Sequence, residues 1–230
     1  MAEQIETVAI VGSGLMGTGI AEACILAGVP TLLVKATSGD PEAARGRIRA
    51  SLDRSVKKEK LSAEDRDKAL ALLETSSDFT RLSSADLVIE SAAENLTAKH
   101  ELLERISANV RSDAVIASNT SSLRLSSLCE AVANPERFLG MHFFSPANIM
   151  KLVELGQLSQ TSSTVLTRVR ELCGRIGKVP VEVGDHPGYL VNRLLVPYML
   201  HAIETLEHGV ATPEAIDTAM KLGCGHPVGA

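Results

Sequence analysis

The sequence predicts an α/β fold: a doubly wound, mostly parallel sheet with an inserted helical hairpin, followed by a partial all-helical C-terminal domain. Three observations carry this. Val8-Ala9-Ile10-Val11, a continuous apolar run, leads straight into Gly12-Ser13-Gly14-Leu15-Met16-Gly17 and then into a helix pattern over 18–27 that stops at Gly28. Short apolar runs then alternate with helical patterns, which implies a parallel sheet covered by helices on both faces. Past Asp185-His186-Pro187-Gly188 the alternation ends and only helical patterns remain. Residues 1–184 thus read as one domain, with the hairpin at about 41–74, and residues 185–230 as a second.

A GxGxxG motif alone is weak evidence, but between a strand and a helix it marks a Rossmann-type dinucleotide site. Gly12 makes the tight turn, Gly14 lets a pyrophosphate approach the backbone, and Gly17 lets helix and strand pack closely. Leu15 and Met16 lie in the turn on the cofactor side, and the N-terminus of the helix that follows faces the phosphates. Thr31 to Val34 gives the second strand, and the residue at its end, Lys35, is placed to meet the adenosine ribose. Asp40-Pro41 starts the next helix, since Asp accepts free N–H groups and Pro suits the first helical position. Ser62-Ala63-Glu64-Asp65 resembles a capping box for its partner. This hairpin carries seven basic residues between Arg45 and Lys60 against two acids, in a chain of net charge −5. The cluster points to an anionic small molecule, although a charge run taken alone reads first as a solvated face. Ser51 and Lys58, seven residues apart, fall on one side of the helix.

Residues 86–90 read as a buried strand, 97–110 as a helix and 114–118 as a further strand. Ligands bind outside the carboxyl ends of such strands, which picks out Glu94-Asn95 and Ser118-Asn119-Thr120-Ser121-Ser122. Two more apolar runs follow, Phe138 to Phe144 interrupted by His142 and Leu152 to Leu155 interrupted by Glu154. A histidine oriented by a carboxylate can take a hydroxyl proton at neutral pH. Alone, a histidine on an apolar strand reads as a core residue bonded to a backbone carbonyl; the motifs around His142 reverse that preference. A helix over 163–176 and a strand over 178–183 complete the alternation. The segment from Leu190 to Gly209 is helical and apolar on most faces, with Pro197 as a kink, and Thr212-Pro213 begins a shorter helix. So short a segment cannot bury its own apolar surface, so it is expected to pack on the first domain or on another chain.

Composition narrows the function. No apolar run reaches the ~18 residues of a membrane span, and the N-terminus lacks the basic and apolar regions of a signal peptide, which places the protein in the cytoplasm. The acidic balance argues against nucleic-acid and membrane-surface partners. The cysteines at 24, 129, 173 and 224 form no CxxC pair and read as small core residues, and no metal site is expected.

The motifs VGSGLMGTGIA, AENL, SNTSS, MHFFSPANIMKLVE and PGYLVNRLLVPYML occur in one order along essentially the whole chain. In these the sequence resembles the short-chain L-3-hydroxyacyl-CoA dehydrogenases, including 3-hydroxybutyryl-CoA dehydrogenases. The resemblance implies that His142 is the general base and Glu154 its partner, while Ser121 and Asn192 orient the substrate 3-oxygen. It puts Glu94, Lys99 and Asn119 on the cofactor side, and Ser51 and Lys58 against coenzyme A. The implied reaction interconverts a 3-hydroxyacyl and a 3-ketoacyl thioester. Three departures stand out. Ser145 replaces an Asn of the family's HFFNP motif at the substrate site. Lys35 replaces an Asp or Glu, so that NADP(H), whose 2′-phosphate Lys35, Thr37 and Ser38 could meet, stands level with the family's usual NAD(H). Family chains also continue beyond the HPVG-like motif, completing a helical domain that resembles a dimerisation module, so a homodimer is expected where that domain is complete. An acyl-carrier-protein thioester would suit the basic hairpin as well as an acyl-CoA. The 3-hydroxyisobutyrate and 6-phosphogluconate dehydrogenases share GxGxMG but use a lysine on a later helix, and the HFFSP stretch argues against them. A nucleotide-binding or structural protein without activity is the alternative of another class, opposed by His142, Glu154, Ser121 and Asn192 together.

Overall fold

Eight strands form one sheet in the first of two units: β1 (Val8–Val11), β2 (Thr31–Val34), β3 (Leu73–Ser76), β4 (Leu87–Glu90), β5 (Val115–Ser118), β6 (Phe138–Phe143), β7 (Leu152–Gln157) and β8 (Val179–Gly184). The computed structural model describes residues 4–230, with the first unit ending at Pro187 and the second spanning Gly188–Ala230. The strand order is β3-β2-β1-β4-β5-β6-β7-β8, and every neighbouring pair is parallel except β6 with β7. The chain starts in the middle, runs outward to β3, and returns to lay β4 on the other side of β1. That reversal leaves a crevice at the carboxyl ends of β1 and β4, where open sheets of this kind bind ligands.

The central strands are apolar throughout because both faces are covered. Ile10, Leu33 and Ile89 point into one core with Ile20 of α1 (Leu15–Leu26) and Val169 of the long helix Ser163–Arg175. Ala9, Val11 and Val88 point into the other with Leu103 of the helix Leu96–Ser107. The hairpin consists of α2 (Glu42–Lys57) and α3 (Ala63–Ala71). Ala44, Ile48 and Leu52 of α2 are buried at a spacing of four, which gives one apolar stripe and leaves the basic residues on the other faces. Asp40 accepts the Glu42 N–H at 2.9 Å, and Ser62 both accepts the Asp65 N–H and donates to its carboxylate.

The structure departs from the sequence reading at three places. The hairpin ends at Ala71, and the residues after it form β3, an edge strand paired with β2 from Thr31↔Leu73 to Val34↔Ser76. Leu-Glu-Thr-Ser has a single apolar residue, so only this long-range pairing makes it a strand. The short helix Leu125–Cys129 was hidden in the same way; Asp185 caps it by accepting the Leu125 and Ser126 N–H groups at 2.7 and 3.0 Å. Cys24, Cys129 and Cys173 are buried, but Cys224 is exposed. Burial pushes the Cys24 and Cys173 thiols up to about 12.

The second unit holds α7 (Val191–Glu207), with Pro197 inside it, and α8 (Pro213–Cys224), whose last turn is closed by Gly225 in the left-handed region. Apolar side chains of α7, among them Leu194, Leu200 and Ile203, are exposed. No helix among the described residues is long and apolar enough to cross a membrane.

One polar group sits deep in the first unit. Glu90, at the end of β4, is 0% exposed and Lys99 is 1% exposed, and the Lys99 ammonium lies 2.7 and 2.8 Å from the two Glu90 oxygens. Glu90 also accepts the Ser118 hydroxyl at 2.6 Å and the Ala92 N–H at 2.7 Å, so its lone pairs are used. Removing one partner of such a pair strands the other charge, at a cost of about 3–5 kcal/mol. Lys99→Met is therefore expected to lower unfolding free energy by that amount in urea titration, and a loss below about 1 kcal/mol would show that the pair is not a stabilising unit.

Candidate active site

Antiparallel pairing of β6 with β7 sets His142 directly opposite Glu154. Side chains of paired residues share one face of the sheet, so the imidazole and carboxylate meet without any loop to position them. His142 Nδ1 donates to Glu154 Oε2 at 2.8 Å, with Glu154 fully buried and His142 only 5% exposed. The Phe144 ring packs 4.6 Å from the imidazole, centroid to centroid.

His142 lines a cavity of about 720 Å³ at the crevice. The cavity gathers Gly12, Gly14, Leu15 and Met16 from the glycine turn and Lys35 from the end of β2. Glu94 follows β4, Asn119 and Ser121 follow β5, and Ser145 follows β6 on the same wall. These positions converge because β1, β2, β4, β5 and β6 are parallel and end on one edge. Thr37 lines the cavity beside Lys35, whereas Ser38 does not.

The turn has the shape a dinucleotide needs. Gly12 has φ +119°, and a Cβ there would stand 2.3 Å from the Ser91 carbonyl oxygen. At Gly17 a Cβ would fall 1.8 Å from the Gly12 oxygen, so the third glycine serves packing and not the cavity wall. At Gly14 a Cβ would meet nothing within 4 Å, so that flank is open space a pyrophosphate can enter. The first turn of α1 has no side-chain cap and no acidic residue, which leaves its N–H groups to an anion.

Glu94 fixes the loop after β5. Its Oε1 accepts the Ser121 and Ser122 N–H groups, both at 2.8 Å, and the Thr120 hydroxyl at 2.6 Å. Burial pushes the Glu94 pKa upward, but these donors and the nearby Lys99 outweigh it and hold the carboxyl at about 2. Ser121 Oγ lies 3.3 Å from the same oxygen. Lys99, expected on the cofactor side, does not line the cavity. It is buried on Glu90, lies 3.5 Å from Glu94 Oε2 and donates to the Ala92 carbonyl at 3.4 Å, so its influence on that side passes through Glu94 and the Ala92 backbone. Asn119 joins three strand ends, accepting the Phe143 N–H at 2.9 Å and donating to Ser91 Oγ at 3.2 Å.

A second cavity, of about 940 Å³, lies between α1, the hairpin and the loop after β6. Ser51 and Lys58 line it together, as their spacing predicts, along with Arg47, Arg54 and Lys60. Three residues at or beside this cavity were not singled out by the sequence reading. Glu22, 5% exposed, accepts from Asn148 at 2.8 Å and from Ser51 at 3.2 Å, so the predicted Ser51 contact has a carboxylate behind it. Lys178, whose pKa burial lowers, donates to the carbonyls of Ala147 at 2.6 Å and Met150 at 2.8 Å and so pins the loop. Arg47 lines both cavities. A polar residue inside the otherwise small and apolar pattern of α1 was a signal for Glu22; Arg47 had none beyond membership of the basic run. Asn192 belongs to the second unit, in the first turn of α7. Among the described residues no group of three or more His, Cys, Asp or Glu side chains is placed to hold a metal ion.

Comparison with known proteins identifies a family. The family described as 3-hydroxyacyl-CoA dehydrogenase, NAD binding domain, matches residues 7–186, and the corresponding C-terminal domain family matches residues 188–230. The mitochondrial hydroxyacyl-coenzyme A dehydrogenase of Rattus norvegicus is 41% identical over 98% of this chain and 74% of its own. A 3-hydroxybutyryl-CoA dehydrogenase of Mycobacterium tuberculosis is 40% identical over 100% of this chain and 81% of its own. Among solved structures, an (S)-3-hydroxybutyryl-CoA dehydrogenase from Ralstonia eutropha superposes with a TM-score of 0.95 at 42% identity, over 98% of this chain and 80% of that one.

The two glycines at 14 and 17 separate binding from folding. Gly14→Ala should leave the thermal midpoint unchanged while weakening NADH binding in a fluorescence titration, because its new methyl enters only the open flank. Gly17→Ala should destabilise the protein by about 1–3 kcal/mol or more, the cost of overpacking against backbone. Equal stability losses in the two variants would contradict this division.

Proposed function

The chain belongs to the 3-hydroxyacyl-CoA dehydrogenase family, and from that premise we propose how its residues interconvert a 3-hydroxyacyl-CoA and a 3-ketoacyl-CoA. The observation that carries the reading is the buried His142–Glu154 pair on the wall of the cavity that the glycine turn opens. Gly12, Gly14, Leu15 and Met16 would hold the pyrophosphate of a nicotinamide dinucleotide, with Lys35 at its adenosine ribose and Asn119 and Glu94 toward the other end of the cavity. When bound, the nicotinamide accepts the hydride from substrate C3 or returns it.

His142 handles the proton. With Nδ1 donating to Glu154, Nε2 is the nitrogen that takes the 3-hydroxyl proton. The imidazolium so formed lies against the fully buried Glu154 carboxylate, which accepts its Nδ1 proton and holds the ring in place. In the reducing direction the same imidazolium gives its proton to the 3-oxygen. Ser121, whose backbone N–H Glu94 accepts, supplies a hydroxyl donor to that oxygen in exchange for its 3.3 Å contact with Glu94. The second cavity takes the coenzyme A portion, with Ser51 and Lys58 as contacts and the other hairpin cations around them.

Oxidation of NADH or NADPH on addition of acetoacetyl-CoA tests the function, and no turnover with either cofactor would overturn it. His142→Gln is expected to lower turnover by ~10²–10⁴-fold while leaving NADH affinity unchanged, since the base lies away from the glycine turn. Glu154→Gln should act in the same direction, and wild-type turnover in either variant would remove the pair from the mechanism.

Lys35 bears on cofactor choice. A carboxylate at this position would accept hydrogen bonds from the ribose 2′-hydroxyl of NAD and repel the 2′-phosphate of NADP. Here a lysine and Thr37 line the wall instead, which supports use of NADPH alongside NADH. Lys35→Asp should lower the NADPH to NADH ratio of kcat/KM at least about tenfold, the scale of one charge-assisted hydrogen bond. An unmoved ratio would make Lys35 a solvated bystander.

A further inference from the structure

The two cavities abut. Gly14 and Leu15 at the start of α1 line both, and so does Arg47 from α2. Of the lysines and arginines on either wall, Lys35 lines only the first cavity, and Arg54, Lys58 and Lys60 line only the second; Arg47 alone lines both. Its guanidinium is held at the junction, because Nη2 donates to the Ser13 carbonyl oxygen at 2.6 Å inside the glycine turn. A guanidinium has five N–H donors in a rigid planar fork, so one bond to Ser13 leaves donors for phosphate oxygens on either side. Neighbouring arginines are placed differently: Arg45 is turned inward onto the carbonyls of Leu70 and Leu73.

We propose that Arg47 is a shared cation, binding the pyrophosphate of the dinucleotide from one side and a phosphate of the coenzyme A portion from the other. The inference rests on the assignment of the two cavities made above. It makes Arg47 a binding residue for both substrates of the reaction, where Lys35 and Lys58 each serve one. The chemistry suits the position, since two polyanionic ligands meet at a junction where the glycine turn offers backbone but no side-chain charge.

The test is calorimetric titration of NADH alone and of free coenzyme A alone, at low salt, into the wild type, Arg47→Gln and Lys58→Ala. Arg47→Gln should raise the Kd of both ligands roughly three- to tenfold, between the worth of an exposed ion pair and that of a charge-assisted hydrogen bond. Lys58→Ala should raise only that of coenzyme A. The Arg47→Gln defect should shrink at high salt, where screening already weakens the wild-type contacts. A defect that persists undiminished at high salt would assign Arg47 to support of the glycine turn through Ser13 and overturn the proposal, as would a change confined to one ligand or to neither. If coenzyme A displaced NADH from the wild type, the assignment of two cavities would itself fall. That pattern is distinguishable from loss of the Arg47 effect alone.

Discussion

One reversal of strand direction organises the chemistry. Every other neighbouring pair in the sheet is parallel and spaced by a crossover, but β7 returns antiparallel to β6 after a short loop and brings Glu154 level with His142. The register is decisive, because a slip of one residue would turn Glu154 to the opposite face and leave the imidazole facing a side chain without charge. Val153 and Leu155, fully buried on either side of Glu154, oppose such a slip by tying the strand's apolar set to its own core. The pairing of His142 with Glu154 is thus specified by the hydrophobic patterning of its neighbours in the strand.

A second constraint runs from the interior to the cavity mouth. Buried Glu90 is neutralised by Lys99, Lys99 reaches Glu94, and Glu94 gathers the backbone of Ser121 and Ser122. Each group is satisfied by the next, which is the condition under which buried charge is tolerated. The loop carrying Ser121 is therefore anchored to the sheet and not merely to its own turn. On the other wall Lys178 does a similar service for the loop of Ser145 to Met150, using carbonyls where Glu94 uses N–H groups.

What the sequence disclosed and what it concealed divide along contact distance. The glycine turn was readable because its motif is local, and the positive φ at Gly12, the free flank at Gly14 and the tight contact at Gly17 fit its spacing. His142 and Glu154 were noticeable as titratable side chains breaking apolar runs, but the motifs around them were needed to read them as more than core residues. That Ser51 and Lys58 share a wall was readable from helical spacing, while their singling out came from the family resemblance. By contrast, β3 exists only through its pairing with β2, and the burial of Glu22 depends on Asn148, which lies 126 positions away. Lys99 sits in a recognisable motif, yet its burial on Glu90 depends on the packing of a helix over β4, which motif matching does not report. Arg47 differs from its basic neighbours only in where its side chain ends, and composition carries no record of that.

The distribution of thiols has a practical side. Cys24, Cys129 and Cys173 lie inside the first unit, and the deepest two hold their protons far above neutral pH, while Cys224 stands exposed near the end of α8 in the second. Alkylating reagents act on accessible thiolates, so the native protein offers them one address. A fluorophore or spin label attached there would watch the helical unit with the nucleotide-binding unit left chemically untouched, and the molecule needs no engineered cysteine to accept it.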